Sequence, residues 1–232
     1  MNKVKAKYFY WHLAISTLIV SSISLVSIYI WFPKPFLILD GTWFAILTLA
    51  VVDIVLGPLI TFVLINTKKS KLERTFDMLV IISMQGTALT YGLNQIYNER
   101  PFAIIYANSM FHQIPVKEIN ENYLNTKLPL PTYNFIYYGM VNETSHDLDL
   151  TYLPLLYSAN NYQKLTSKIL QDDNFDYDNL PNSIKKKYTK SHHFKVLAGK
   201  NRIGVVVLNH SLTIIDIVPI DDRNQYAKMS LF

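Results

Sequence analysis

Residues 43–65 read WFAILTLAVVDIVLGPLITFVLI, an apolar run with a single formal charge, Asp53, close to its middle. A helix rises about 1.5 Å per residue and a bilayer's hydrocarbon core is about 30 Å thick, so about 20 apolar residues cross it. This run is long enough. Leu13–Phe32 on one side has no formal charge, and Met78–Tyr97 on the other is also uncharged, though richer in polar side chains. Buried helices of soluble proteins rarely run so long without charge. Three such runs in succession predict three transmembrane helices, at about residues 9–32, 42–66 and 76–97.

Composition agrees with that division. The chain has 232 residues, half of them hydrophobic and 13% aromatic, with no cysteine. Aromatic and branched apolar content of this order excludes disorder. The missing cysteines exclude a disulfide framework, a thiolate zinc site and a cysteine nucleophile. Net charge is +5. Residues 1–97 carry eight Lys and Arg against four acids, so +4 of that charge lies there and only +1 in residues 98–232. Nucleic-acid binding needs cations clustered on one domain face, and the pattern excludes it.

Orientation follows from the loop cations. Lys3, Lys5 and Lys7 precede the first run, and Lys68, Lys69, Lys71 and Arg74 lie between the second and third. The loop Pro33–Gly41 has only Lys34 against Asp40. The positive-inside rule puts the N-terminus and the 66–75 loop in the cytoplasm, and everything after Tyr97 on the outer side. The first run is longer than a signal peptide's apolar core, and no Ala-x-Ala site follows it; Trp31-Phe32-Pro33 suits a retained anchor ending at an interface.

Residues 98–232 make a domain of ordinary size, expected to be α+β with a small antiparallel sheet. Arg100–Tyr106 reads as a strand just past the membrane. Ile203–Leu208 and Leu212–Pro219, joined by Asn209-His210-Ser211, read as two strands and a polar turn. Lys117–Leu124, Tyr162–Gln171 and Asn182–Lys190 are expected as short helices.

Asp53 is the most informative residue for chemistry. An acid in mid-membrane is costly and ordinarily faces other helices or water. Gly57-Pro58 follows it: Pro58 cannot donate to the carbonyl of Ile54, and Gly57 lets another helix come close, so a helix break beside an acid is expected. That fits an ion site, a docking site for a polar group on another helix, or a packing kink with the acid protonated or paired inside the bundle. Thr17, Ser21 and Ser24 on the first helix, and Ser83, Thr87, Thr90 and Asn94 on the third, form small polar stripes of the kind that mark helix contacts. His112, His146, His192, His193 and His210 lack metal-ligand spacing. The acids Asp172, Asp173, Asp176 and Asp178 lack a calcium loop's spacing and glycine. No nucleophile elbow, phosphate loop or dinucleotide fingerprint occurs, so no metal, cofactor or catalytic residue is assigned.

Trp31-Phe32-Pro33, Asp40-Gly41, Val52-Asp53, Leu56-Gly57-Pro58-Leu59, Lys69, Asp77, Gln85, Ala88-Leu89, Tyr91-Gly92 and Arg100-Pro101 together resemble the TfpX/TfpZ family of type IV pilin accessory proteins. Pro219-Ile220-Asp221 resembles that family's closing segment; the likeness is dense over residues 28–106 and thin between 110 and 200. The resemblance implies a non-enzymatic inner-membrane protein of a Gram-negative bacterium, with a periplasmic C-terminal domain, that helps a cognate type IV pilin reach the assembled fibre. Its partners would be that pilin, the lipid bilayer and the pilus assembly machinery. Asp40, Asp53, Gly57, Pro58, Gln85, Gly92 and Arg100 become candidate partner-binding residues: Asp53 to receive a polar or cationic group, Gly57-Pro58 to shape a cradle, Asp40 and Arg100 to orient the outer domain. The competing class is a small membrane sensor whose outer domain binds a ligand. With a tail of about eight residues and a ten-residue loop in the cytoplasm, it would need a partner to signal.

Overall fold

In the computed structural model, the described residues are 3–66, 68–107, 110–118, 132–134, 136–141, 162–163 and 177–220. They fall into two compact units. The first comprises Met1–Trp31 and Thr42–Asn98, the second Phe32–Gly41 and Glu99–Phe232.

The first unit is built from three long helices, Lys3–Trp31, Thr42–Leu64 and Lys71–Glu99, each long and apolar enough to cross a membrane. The first ends in a π-helical turn, Ser27–Trp31, ahead of Pro33. The third starts at a capping box. The Ser70 N–H donates to Glu73 Oε2 (2.7 Å) and the Glu73 N–H to Ser70 Oγ (3.3 Å), answering two N–H groups that the first turn leaves without carbonyls. Most of the large apolar side chains point outward: Leu18, Val63 and Met84 are about 70% exposed, while His12, Asp53 and Thr61 are buried.

The second helix does not break at Gly57-Pro58 as the sequence suggests. Val51–Leu56 forms a π-helical stretch in which the Gly57 N–H reaches back five residues to the Val52 carbonyl, and Gly57–Leu64 continues as α-helix. Widening the helix just before Pro58 absorbs the missing N–H and the crowding of its ring against the Ile54 carbonyl, so the chain runs on.

The second unit is centred on a mixed sheet, not the antiparallel one expected. Among the described residues its strands are β1 (Pro101–Ala107), β2 (Met110–Pro115), β3 (Thr132–Tyr133), β4 (Ile136–Val141), β5 (Tyr162–Gln163), β6 (His193–Ala198), β7 (Ile203–Leu208) and β8 (Ile214–Ile220). The order is β3-β4-β1-β2-β6-β7-β8, with β5 also on β4. β1 with β4 and β2 with β6 are parallel; the other pairs are antiparallel. Parallel pairs need long connections, which a reading of adjacent hairpins does not anticipate. The expected turn between β7 and β8 is present: Asn209 Oδ1 accepts the Ser211 and Thr213 N–H groups. Tyr162–Gln163 is strand where a helix was expected, and Val116–Glu118 is a single 3-10 turn; the remainder of both proposed helices lies outside the described residues. Asn182–Lys185 is one turn of helix, shorter than expected.

Both faces of β7 are covered, as its unbroken run of buried residues requires. Val205 and Val207 pack with Phe194, Leu180, Ile184 and Ile220. Val206 and Leu208 face the other way, with Ile104, Phe111 and Leu197, and there Phe36 and Leu39 join them. That second cover comes from the loop between the first and second long helices. Its one-turn helix Phe36–Leu39 is buried at both ends, and the Leu39 carbonyl accepts the N–H groups of Asn201 and Arg202, both at 2.9 Å.

Candidate functional site

Asp53 sits at the midpoint of the second helix, 5% exposed, in the π-helical stretch. Among the described residues its carboxyl has no hydrogen bond or ion pair. It lines a cavity of about 180 Å³ inside the helix unit, walled by the first helix from Tyr8 to Val20 and by the third from Met78 to Leu89. Asp53 is the second helix's one contribution to that lining.

Gln85, from the middle of the third helix, shares the lining. Its side chain lies against Gly57 so closely that a Cβ there would stand 1.8 Å from Gln85 Nε2. Glycine at 57 is therefore what admits the Gln85 amide between the second and third helices. Gln85 Oε1 is buried and, among the described residues, accepts no hydrogen bond. Gly92 serves the same helix pair further along, where a Cβ would be 3.3 Å from Leu49 Cδ1. Going back eight residues from Gly57 to Leu49 goes forward seven from Gln85 to Gly92, the register of antiparallel neighbours.

A third polar residue belongs to this centre and was not among the sequence candidates. His12 is 5% exposed, lines the same cavity, and its Nδ1 is 2.6 Å from Thr61 Oγ1 of the second helix. The Gln85 side chain also reaches it. His12 stands one residue before the charge-free run, which hides it from a reading of run lengths. A histidine inside a helix otherwise fit for lipid is the available signal.

Among the described residues, the polar stripe of the third helix bonds only within its own helix. Ser83, Thr87, Thr90 and Asn94 are exposed, with Thr87 Oγ1 donating to the Ser83 carbonyl and Thr90 Oγ1 to that of Gly86.

The two remaining candidates belong to the sheet unit. Asp40 follows the buried Leu39, and its Oδ2 accepts from Gln113 Nε2 of β2 at 2.8 Å. Burial pushes the Asp40 carboxyl up to about 6, against the opposing pull of Gln113 and Lys200. The Arg100 carbonyl accepts the Val116 N–H (3.0 Å), closing the β1–β2 ribbon at its open end. Next to it, Glu99 holds Lys117 at 2.6 Å and Lys200 at 3.0 Å.

The seven sequence candidates thus separate. Asp53, Gly57, Pro58 and Gln85 gather in the helix unit with His12, Gly92 is a packing contact on the same helix pair, and Asp40 and Arg100 are parts of the sheet unit. Among the described residues no three His, Asp or Glu side chains are grouped to hold a metal ion.

No family model and no solved structure matches the chain. Over 95 residues, 41% of its length, it is 30% identical to fimbrial assembly proteins of Dichelobacter nodosus. The match covers 72% of the protein of serogroups C1 and C2, but only 37% of those of serogroups E1 and I. Of those two relatives it spans little more than a third.

Proposed function

The chain belongs to the family of these fimbrial assembly proteins, and on that premise we propose that it is a non-enzymatic membrane accessory of type IV pilus biogenesis, of the TfpX/TfpZ kind, acting on a pilin subunit. The relatives' role in fimbrial assembly is the observation that carries this reading. In it, the three long helices cross the inner membrane and the sheet domain lies in the periplasm. Outward-facing leucines and valines around buried His12, Asp53 and Thr61 support a lipid-solvated bundle. The seven Lys and Arg of the N-terminal tail and the 66–75 loop support a cytoplasmic N-terminus.

A pilin that waits in the inner membrane presents a helix within the bilayer and a folded head outside it. The accessory has a unit for each: the helix bundle receives the membrane segment and the sheet domain meets the head. The test is removal of the chain from its native host, with complementation. Surface pili are expected to fall sharply while pilin message is unchanged, and pilin is expected to co-purify with the complementing chain in detergent. Normal piliation without the chain contradicts the proposal.

A further inference from the structure

The cavity of the helix unit is a groove. From Tyr8 to Val20 the first helix rises about 18 Å, so the lining runs for roughly three turns between the first and third helices. Its walls are mostly apolar, and small residues open it: Ser16 on one wall and Gly86 on the other, where an added Cβ would meet nothing within 4 Å. Small residues let a further backbone approach. Two acceptors line this space with no hydrogen bond among the described residues, the Asp53 carboxyl, 5% exposed, and Gln85 Oε1. His12, which lines the same cavity, is engaged with Thr61.

We propose that this groove seats a fourth transmembrane helix, from a partner protein, bearing a cationic or hydrogen-bond-donating side chain at the depth of Asp53. The assignment rests on the membrane reading above and names the kind of segment its central site takes. Charge and hydrogen-bond complementarity choose the occupant. A lipid tail would fill the volume but offer no donor, leaving a carboxyl and an amide oxygen against hydrocarbon without a hydrogen bond. A second copy entering by the same groove would bring another Asp53 against the first. A helix with one donor at mid-depth answers both acceptors and buries its apolar flanks on Ile15, Ile19 and Ile82.

The test uses the full chain in its native membrane, with p-benzoylphenylalanine in place of Ile82 at the groove and, separately, in place of Leu47, exposed on the second helix and outside the lining. On irradiation the Ile82 position is expected to capture a membrane segment of another protein, whose peptide carries Lys, Arg, His, Asn or Gln within one turn of the adduct; the Leu47 position is not. Adding Asp53→Leu, which suits lipid and is expected to keep the chain abundant, should cut the yield at least fivefold. Replacing the donor on the captured segment should cut it equally. Adducts to lipid or self alone, a captured segment without a donor, or a yield indifferent to Asp53→Leu would overturn the proposal; the first two are read without the Asp53 variant. A donor-bearing helix that is not a pilin would leave the groove assignment standing and remove the pilin reading. Lipid adducts in a host that still needs the chain for piliation would do the reverse.

Discussion

The two units of this chain are built with opposite polarity. The sheet unit hides Phe36, Leu39, Phe111, Leu197 and Leu208 completely, and its buried charge, Lys195, lies 5.6 Å from the centre of the Tyr106 ring. The helix unit turns most of its leucines, isoleucines and valines outward and encloses His12, Ser27, Thr42, Asp53 and Thr61. In water the first arrangement is stabilising and the second is not, because burying apolar surface is the main favourable term there. In lipid, helix faces gain little from burying leucine, and packing and interhelical hydrogen bonds take over. One chain therefore carries two opposite distributions of apolar surface, the first suited to water and the second to lipid. The loop Phe32–Gly41 shows that the two are not consecutive in sequence: it lies between two long helices yet belongs to the sheet unit.

The largest effect expected to bear on this contrast is at Leu39. If the loop is core to the sheet, Leu39→Ala should destabilise that unit by about 2–5 kcal/mol, the range for removing a fully buried leucine. Protease susceptibility of the detergent-solubilised chain in urea should report the loss in the sheet unit, with helical circular dichroism intact. An unchanged midpoint would detach the loop from the sheet.

Asp40 comes next. Its folded carboxyl titrates near 6, above the ordinary 3.8, so the folded state binds this proton more tightly than the unfolded chain. The associated stability is fully present below about pH 4 and lost as pH rises through about 6. A gap of this size corresponds to at most about 3 kcal/mol, less whatever solvent screens. Asp40→Asn is expected to match the parent at pH 4, exceed it at pH 8, and flatten the unfolding midpoint between them. A variant with the parent's pH profile would put the titration elsewhere.

The smallest effect belongs to the helix unit. His12→Phe removes the bond to Thr61, and interhelical hydrogen bonds in membranes average about 0.6 kcal/mol and reach about 1.7. Unfolding in mixed micelles with increasing denaturing detergent should show a loss of that order. A loss as large as that at Leu39 would mean the helix unit is held by the water-type logic of the sheet, and the contrast would fail.

These outcomes also explain what the sequence could disclose. Long charge-free runs have few readings, so the three helices were legible from 43–65 outward. Ile203–Leu208 and the Asn209-His210-Ser211 turn were legible for a similar reason: a β-branched run beside a polar turn favours strand over helix. Phe36–Leu39 was not, because a four-residue apolar stretch between two prolines and an acid looks like a connector until its partners across the sheet are known. β6 was hidden by its own residues, since His193 and Lys195 look like surface positions, whereas Lys195 is 1% exposed. At the candidate site Asp53, Gly57, Pro58 and Gln85 were legible because acid, glycine, proline and amide are out of place in an apolar helix. The π-helical accommodation of Pro58 depends on backbone relaxation that residue identity does not encode, and His12 lay outside the apolar run.

The claim on which the account turns is that the helix unit crosses a membrane and leaves the sheet unit outside the cytoplasm. Alkaline phosphatase, which folds to its active form only after export, can be fused after Phe232 and assayed in intact cells. The account predicts high activity in the membrane fraction. An inactive, stable fusion, matched by a cytoplasmic reporter that is active at the same position, would contradict it.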